Sequence, residues 1–326
     1  MAKRIFAFFI IFVIAFSLNA CTEENASLEK KGLNIVTTVF PAYDFSREIA
    51  GEYANITLLI PPGAEIHGFE PTPQEVIKIQ ECDLLICNGG ESEAWLEEIL
   101  SGIDSDIPTV RMMDCVETVE EETREGMQSI GYVHSEEHAK STHDVSNKNE
   151  QEFDEHVWSS PVNAALICNE ICSAICTADK DNAAVYAANC SEYVSKLNEL
   201  DGRIREIVGN ASCKTVIFAD RFPVRYFVEE YGLDYYAAFP GCAEDTEPSA
   251  KTVAFLIDRV REYNIPAVFY IEFSNEKMAD IICEDTGCKK LIFYSCQNIG
   301  ADEFESGVTY FDLMNANAEN LREALG

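Results

Sequence analysis

Val36-Thr37-Thr38-Val39-Phe40-Pro41 is echoed in the second half of the chain by Val216-Ile217-Phe218-Ala219-Asp220-Arg221-Phe222-Pro223. Both are β-branched or aromatic runs that stop at a proline, the pattern of a buried strand feeding a turn. Around the first copy, Asn34–Phe40 reads as a strand and Tyr43–Ala50 as a helix. Ile56–Ile60 is a second strand that ends in Pro61-Pro62-Gly63. Thr72–Glu81 reads as a helix and Leu84–Cys87 as a third strand. Strands alternating with helices indicate βαβ units and a mainly parallel sheet. The echo continues: Gly51-Glu52-Tyr53 with Glu230-Tyr231-Gly232, Pro62-Gly63 with Pro240-Gly241, and Glu70-Pro71-Thr72 with Glu247-Pro248-Ser249, at offsets near 177–182 residues. The expected fold is therefore α/β, with two similar βα-repeat lobes. Ligands of open parallel sheets sit outside the carboxyl ends of the strands, so a ligand is expected between the lobes.

Ala183–Val208 separates the two copies. Tyr186, Cys190, Tyr193, Leu197, Leu200, Ile204 and Ile207 recur at alternating spacings of four and three, an apolar stripe on one long helix. From Asp181 to Val208 it would run about 42 Å, long enough to link both lobes as a strut. The expected division is residues 33–165 for the first lobe, 166–209 for linking helices and 210–326 for the second lobe.

Composition narrows the function. The chain has 326 residues, with 24 Lys plus Arg against 57 Asp plus Glu, a net charge of −33. That excludes a basic nucleic-acid footprint, so no nucleic-acid partner is expected. With 47% hydrophobic residues it can still bury a core. Lys3 and Arg4 precede an unbroken apolar run, Ile5–Phe16, of 12 residues. That is too short for a transmembrane helix, which needs about 20 residues, and fits a secretory signal. Leu18-Asn19-Ala20-Cys21 resembles a bacterial lipobox, with 1–20 as the signal peptide, Cys21 as the lipidated residue and 21–32 as a polar tether. The body is expected outside the cytoplasm, anchored to the membrane through lipid.

Twelve cysteines follow Cys21. Cys168, Cys172 and Cys176 share one helix face and read as small core residues rather than as a thiolate cluster. A disulfide between Cys242 and Cys296 is one pairing that the sequence allows. Residues 117–155 form an acidic loop with twelve Asp or Glu and with His134, His138 and His143. The loop reads either as a solvated surface or as a dynamic capture site for a divalent metal. The other two histidines, His67 and His156, each sit in an acidic segment near a strand end. For them a structural role and a metal-binding role are equal readings.

The wider context of these two histidines is specific. Pro62-Gly63-Ala64-Glu65-Ile66-His67-Gly68-Phe69-Glu70-Pro71-Thr72-Pro73 and Asp154-Glu155-His156-Val157-Trp158-Ser159-Ser160-Pro161 resemble the two ligand loops of the zinc/manganese-class solute-binding lipoproteins of ABC transporters, the zinc-uptake branch in particular. Pro161-Val162-Asn163-Ala164, Tyr186-x-x-Asn189, Leu197-x-x-Leu200-Asp201, Tyr231-Gly232-Leu233 and Asp285-Thr286-Gly287 extend the resemblance over about Leu33 to Leu325. It implies that His67 and His156 bind Zn²⁺, less readily Mn²⁺, from the first lobe, and that an ABC permease receives the metal from a monomeric carrier. The chain departs from the pattern in the second lobe. The family's third ligand falls on Arg221, which cannot ligate a metal, and its late Asp falls near Tyr294-Ser295. Asp220 and Glu272 are the expected substitutes, with Glu244, Asp245 and Glu247 as further oxygen donors. Two other readings fit the same residues. One is an exported metal-dependent hydrolase using His67 and His156. The other is a surface lipoprotein that binds a protein or a chelated metal. The chain has no His-Glu-x-x-His and no nucleophile elbow, so no catalysis is expected.

Overall fold

A computed structural model describes residues 32–64, 66, 68–103, 106–128, 153–243 and 248–326. The signal peptide 1–20, Cys21, His67, His134, His138, His143, Glu244, Asp245 and Glu247 lie outside the described residues.

Two four-stranded sheets, all parallel, have the same strand order. The first is β2-β1-β3-β4, built from β1 (Leu33–Thr37), β2 (Ala54–Leu58), β3 (Leu84–Cys87) and β4 (Thr109–Arg111). The second is β6-β5-β7-β8, built from β5 (Thr215–Phe222), β6 (Asp234–Pro240), β7 (Ala267–Tyr270) and β8 (Lys289–Ile292). The two echoing segments thus place β1 and β5 at equivalent inner positions. The likeness reaches single side chains. Thr72 caps α2 (Pro73–Glu81) by accepting from the Glu75 N–H. Ser249, at the echoing place, caps α7 (Ala250–Tyr263) by accepting from the Thr252 N–H.

One expected boundary is wrong. Phe40 is not the end of a strand but the first residue of α1 (Phe40–Ala50), because Pro41 occupies the first helical turn and its fixed φ favours the helix. α3 (Ala94–Gly102) and the short β4 complete the first sheet's surroundings without a clear signal in the sequence.

The linking helix α5 runs over Ala183–Asn210, and its seven stripe residues are all buried. It packs on α4 (Pro161–Ala178). By length and composition α4 could cross a membrane. Here its Ile167, Cys168, Ile171 and Ile175 are buried in the main core. That core is continuous through residues of both sheets, the α1, α4 and α5 helices and the C-terminal helix α10 (Tyr310–Leu325). Two smaller clusters cover the opposite faces of the sheets. Cys168 and Cys172 are core residues, as the sequence implies. Among the described residues the structure shows no disulfide, the Cys242–Cys296 pairing included.

Candidate metal centre

His156 lies between the linking layer and the carboxyl edge of the second sheet. It follows directly on Asp154 and Glu155, and all three are buried. The Asp154 carboxylate accepts from the His156 backbone N–H at 2.8 Å and faces the ring nitrogen Nδ1 at 3.0 Å. This contact fixes the ring and leaves Nε2 as the nitrogen whose lone pair is available to a ligand. Nε2 is buried and has no hydrogen-bond partner among the described residues. Burial alone would lower the imidazole's basicity, but the carboxylates of Asp154, Glu155 and Glu121 outweigh it and raise the pKa.

The ring has close neighbours on both sides. Trp158 meets it edge-on at 5.6 Å between centroids. Gly241, just past β6, closes the other side. A Cβ there would lie 3.2 Å from His156 Cε1 and 2.9 Å from the Phe222 carbonyl oxygen. Only a residue without a side chain lets the β5 and β6 ends approach the imidazole this closely.

Further backbone contacts hold the surrounding loops. The Asn298 amide donates to the Pro61 and Ala64 carbonyls at 3.0 and 2.8 Å, so the second half of the chain grips the loop that carries His67. The Trp158 indole donates to the Ser295 carbonyl at 2.8 Å. Glu155 accepts from the Ser92 backbone N–H at 3.0 Å and from its hydroxyl.

Asp220 and Glu272 both stand at the carboxyl edge of the second sheet, as strand-end residues should. The β5–β6 register shifts between Phe218 and Arg221, a bulge that re-aims Asp220. Its carboxylate accepts from the Arg221 backbone N–H at 2.8 Å and the Ile271 N–H at 3.4 Å. Glu272 accepts from the Ser295 backbone N–H at 2.7 Å and hydroxyl at 2.5 Å. Burial raises the pKa of both carboxyls, and their hydrogen bonds offset part of the rise. Ser295 thus serves as a donor to Glu272 through both its backbone and its hydroxyl. The Arg221 guanidinium donates to the Ala243 carbonyl at 3.3 Å.

Among the described residues, no three His, Cys, Asp or Glu side chains converge as a metal cage. The structure thus brings His156 up against the second lobe, while Asp220 and Glu272 each rest on protein donors. Asp154, Trp158 and Gly241 were not singled out as site residues from the sequence. Asp154 was detectable in principle, since it stands two residues before His156 in the ligand-loop motif.

The chain is 29% identical to the high-affinity zinc uptake system protein ZnuA of Bacillus subtilis, over all of this chain and 99% of that one. It is 27% identical to the zinc-binding protein AdcA of Streptococcus pyogenes serotype M3, over 99% of this chain but only 61% of the relative's length. Its fold superposes on the Zn(II)-bound ZnuA-like domain of Streptococcus pneumoniae AdcA with a TM-score of 0.72 and 26% identity, covering 90% of this chain and 99% of that one. The family model described as zinc-uptake complex component A, periplasmic, matches residues 35–324, and the chain belongs to that family.

Proposed function

We propose that this protein captures Zn²⁺ outside the cytoplasm and delivers it to an ABC-type permease, and that it catalyses no reaction. The observation that carries the reading is the His156 Nε2 atom: buried, unpartnered among the described residues and oriented by Asp154. Neutral imidazole suits zinc. In this reading His67 supplies the second imidazole from the first lobe. Asp220 or Glu272 supplies an oxygen from the second, exchanging a protein hydrogen bond for the metal. Mn²⁺, which prefers oxygen donors, is the poorer cargo for a two-imidazole site. His134, His138 and His143 add a weak capture site for metal that the core site does not require. Cys21 carries the lipid that keeps a monomeric carrier beside its permease. The metal-dependent hydrolase reading gains no support from relatives named for zinc uptake and zinc binding.

A competition titration of metal-free mature protein with Zn²⁺ and Mn²⁺ tests this. The expected outcome is tight one-to-one zinc binding, weakened at least a hundredfold by His67→Ala or His156→Ala and kept after deletion of residues 129–152. Zinc binding that survives both histidine substitutions but vanishes with the loop would overturn it.

A further inference from the structure

Twelve thiols in a protein of a periplasmic family raise the question of which of them can react. Most are poor candidates. Cys87, Cys168, Cys172, Cys190 and Cys296 are buried. Cys172 and Cys176 approach to 3.9 Å, but they sit one turn apart on a rigid, packed helix.

Cys283 and Cys288 differ. Their Sγ atoms are 3.5 Å apart, and both side chains are partly exposed. Cys283 is in the last turn of α8 (Lys277–Thr286), and Cys288 stands just before β8. Between them Gly287 adopts φ 78° and closes the helix, its N–H donating to the Cys283 carbonyl at 2.9 Å. Only a short turn joins the two cysteines, and its glycine gives the backbone freedom to adjust. Side-chain rotation that closes about 1.5 Å would bring the sulfurs to the disulfide bond length of about 2.05 Å.

We propose that Cys283 and Cys288 are a dithiol–disulfide pair, oxidised by thiol–disulfide exchange with a small-molecule or protein disulfide outside the cytoplasm. One thiolate attacks a sulfur of the oxidant, forms a mixed disulfide and expels one thiolate leaving group. The second cysteine loses its proton and attacks the mixed disulfide, which forms the Cys283–Cys288 bond and expels the other half of the oxidant. Two protein thiols and one disulfide become one protein disulfide and two thiols, so electrons and protons balance. Burial, then the hydrogen bond with Cys288, pushes the Cys283 thiol up to about 12. The pair is also remote from the metal centre. Cys288 precedes the amino end of β8, whereas the metal centre lies at the carboxyl edge of the same sheet. The four residues of β8 place about 13 Å of strand between the two edges. Oxidation should therefore tie α8 to β8 without touching zinc.

The natural chain can be treated with oxidised glutathione, blocked by alkylation and digested with trypsin. Cleavage after Lys277 and Lys289 gives a peptide, Met278–Lys289, that carries both cysteines and no others. The expected peptide has lost two hydrogens and takes no alkyl group. Cys283→Ser and Cys288→Ser should each leave the remaining cysteine glutathionylated, and zinc affinity should change less than twofold on oxidation. A wild-type peptide that takes two alkyl groups, or that stops at a glutathione adduct, would overturn the proposal. The peptide readout needs no zinc, so it stands or fails independently of the zinc reading.

Discussion

At the scale of single residues, the surroundings of His156 and Glu272 are set by neighbouring groups. Asp154 sets the ring of His156, Gly241 lets the second lobe close on it, and Ser295 holds Glu272. Glu93 adds a testable electrostatic feature. It is buried, accepts from the Gly89 N–H at 2.7 Å and lies within the field of Glu155. Burial first, and the Glu155 charge among the lesser causes, raises its pKa from 4.5 to about 7. The folded state therefore holds this proton more tightly than the unfolded chain. Its contribution to stability is complete below the unfolded pKa and is lost as pH rises through about 7, a change on the order of 3 kcal/mol. Glu93→Gln should remove this dependence. Denaturant unfolding at pH 4.5 and pH 8 should show the variant gaining on the natural protein at the higher pH. A constant difference between the two curves would contradict it. The sequence singled out His67 and His156 because acidic, proline-bounded motifs surround them, and of the two the structure describes only His156. Asp220 and Glu272 were legible only as strand-end carboxylates. The Ile271 donor to Asp220 lies 51 positions away in the chain and the Ser295 donor to Glu272 lies 23 away, and no local pattern encodes either contact.

At the scale of elements, the echo between the halves was the most informative signal. It foretold two sheets of one topology, and the shared order of β2-β1-β3-β4 and β6-β5-β7-β8 bears that out. The apolar stripe of α5 was equally readable, since seven positions at helical spacing are hard to place in any other structure. The start of α1 and the three-residue β4 were not readable. A β-branched run ending in Phe40 looks like strand until Pro41 is recognised as a first-turn residue. A three-residue strand is too short to show a period. Because α5 packs against α1, α4 and α10, it acts as structure rather than as ligand. Ile204, fully buried on its stripe, should cost about 2–5 kcal/mol of stability when changed to Ala. Zinc affinity of the folded variant should stay within about threefold of the natural protein. Equilibrium unfolding beside a zinc titration separates the two effects. Lost affinity with unchanged stability would show that the helix takes part in binding.

At the scale of the whole molecule, one continuous core runs through both sheets and the linking helices. Cross-links such as Tyr310 N–H to Asp44 at 2.8 Å and Tyr310 hydroxyl to the Trp158 carbonyl at 2.7 Å add to it. Such an arrangement favours small adjustments over a wide hinge. The strongly acidic surface of a chain at −33 suits a protein that concentrates cations and stays soluble. In the proposed function, zinc sits against His156 at the carboxyl edge of the second sheet. The most direct test is anomalous diffraction at the zinc edge from crystals of the zinc-loaded protein. The expected result is one strong peak about 2.0–2.1 Å from His156 Nε2, with His67 and a second-lobe oxygen completing the coordination. A peak confined to residues 129–152, with His156 Nε2 hydrogen-bonded to protein or water instead, would contradict it.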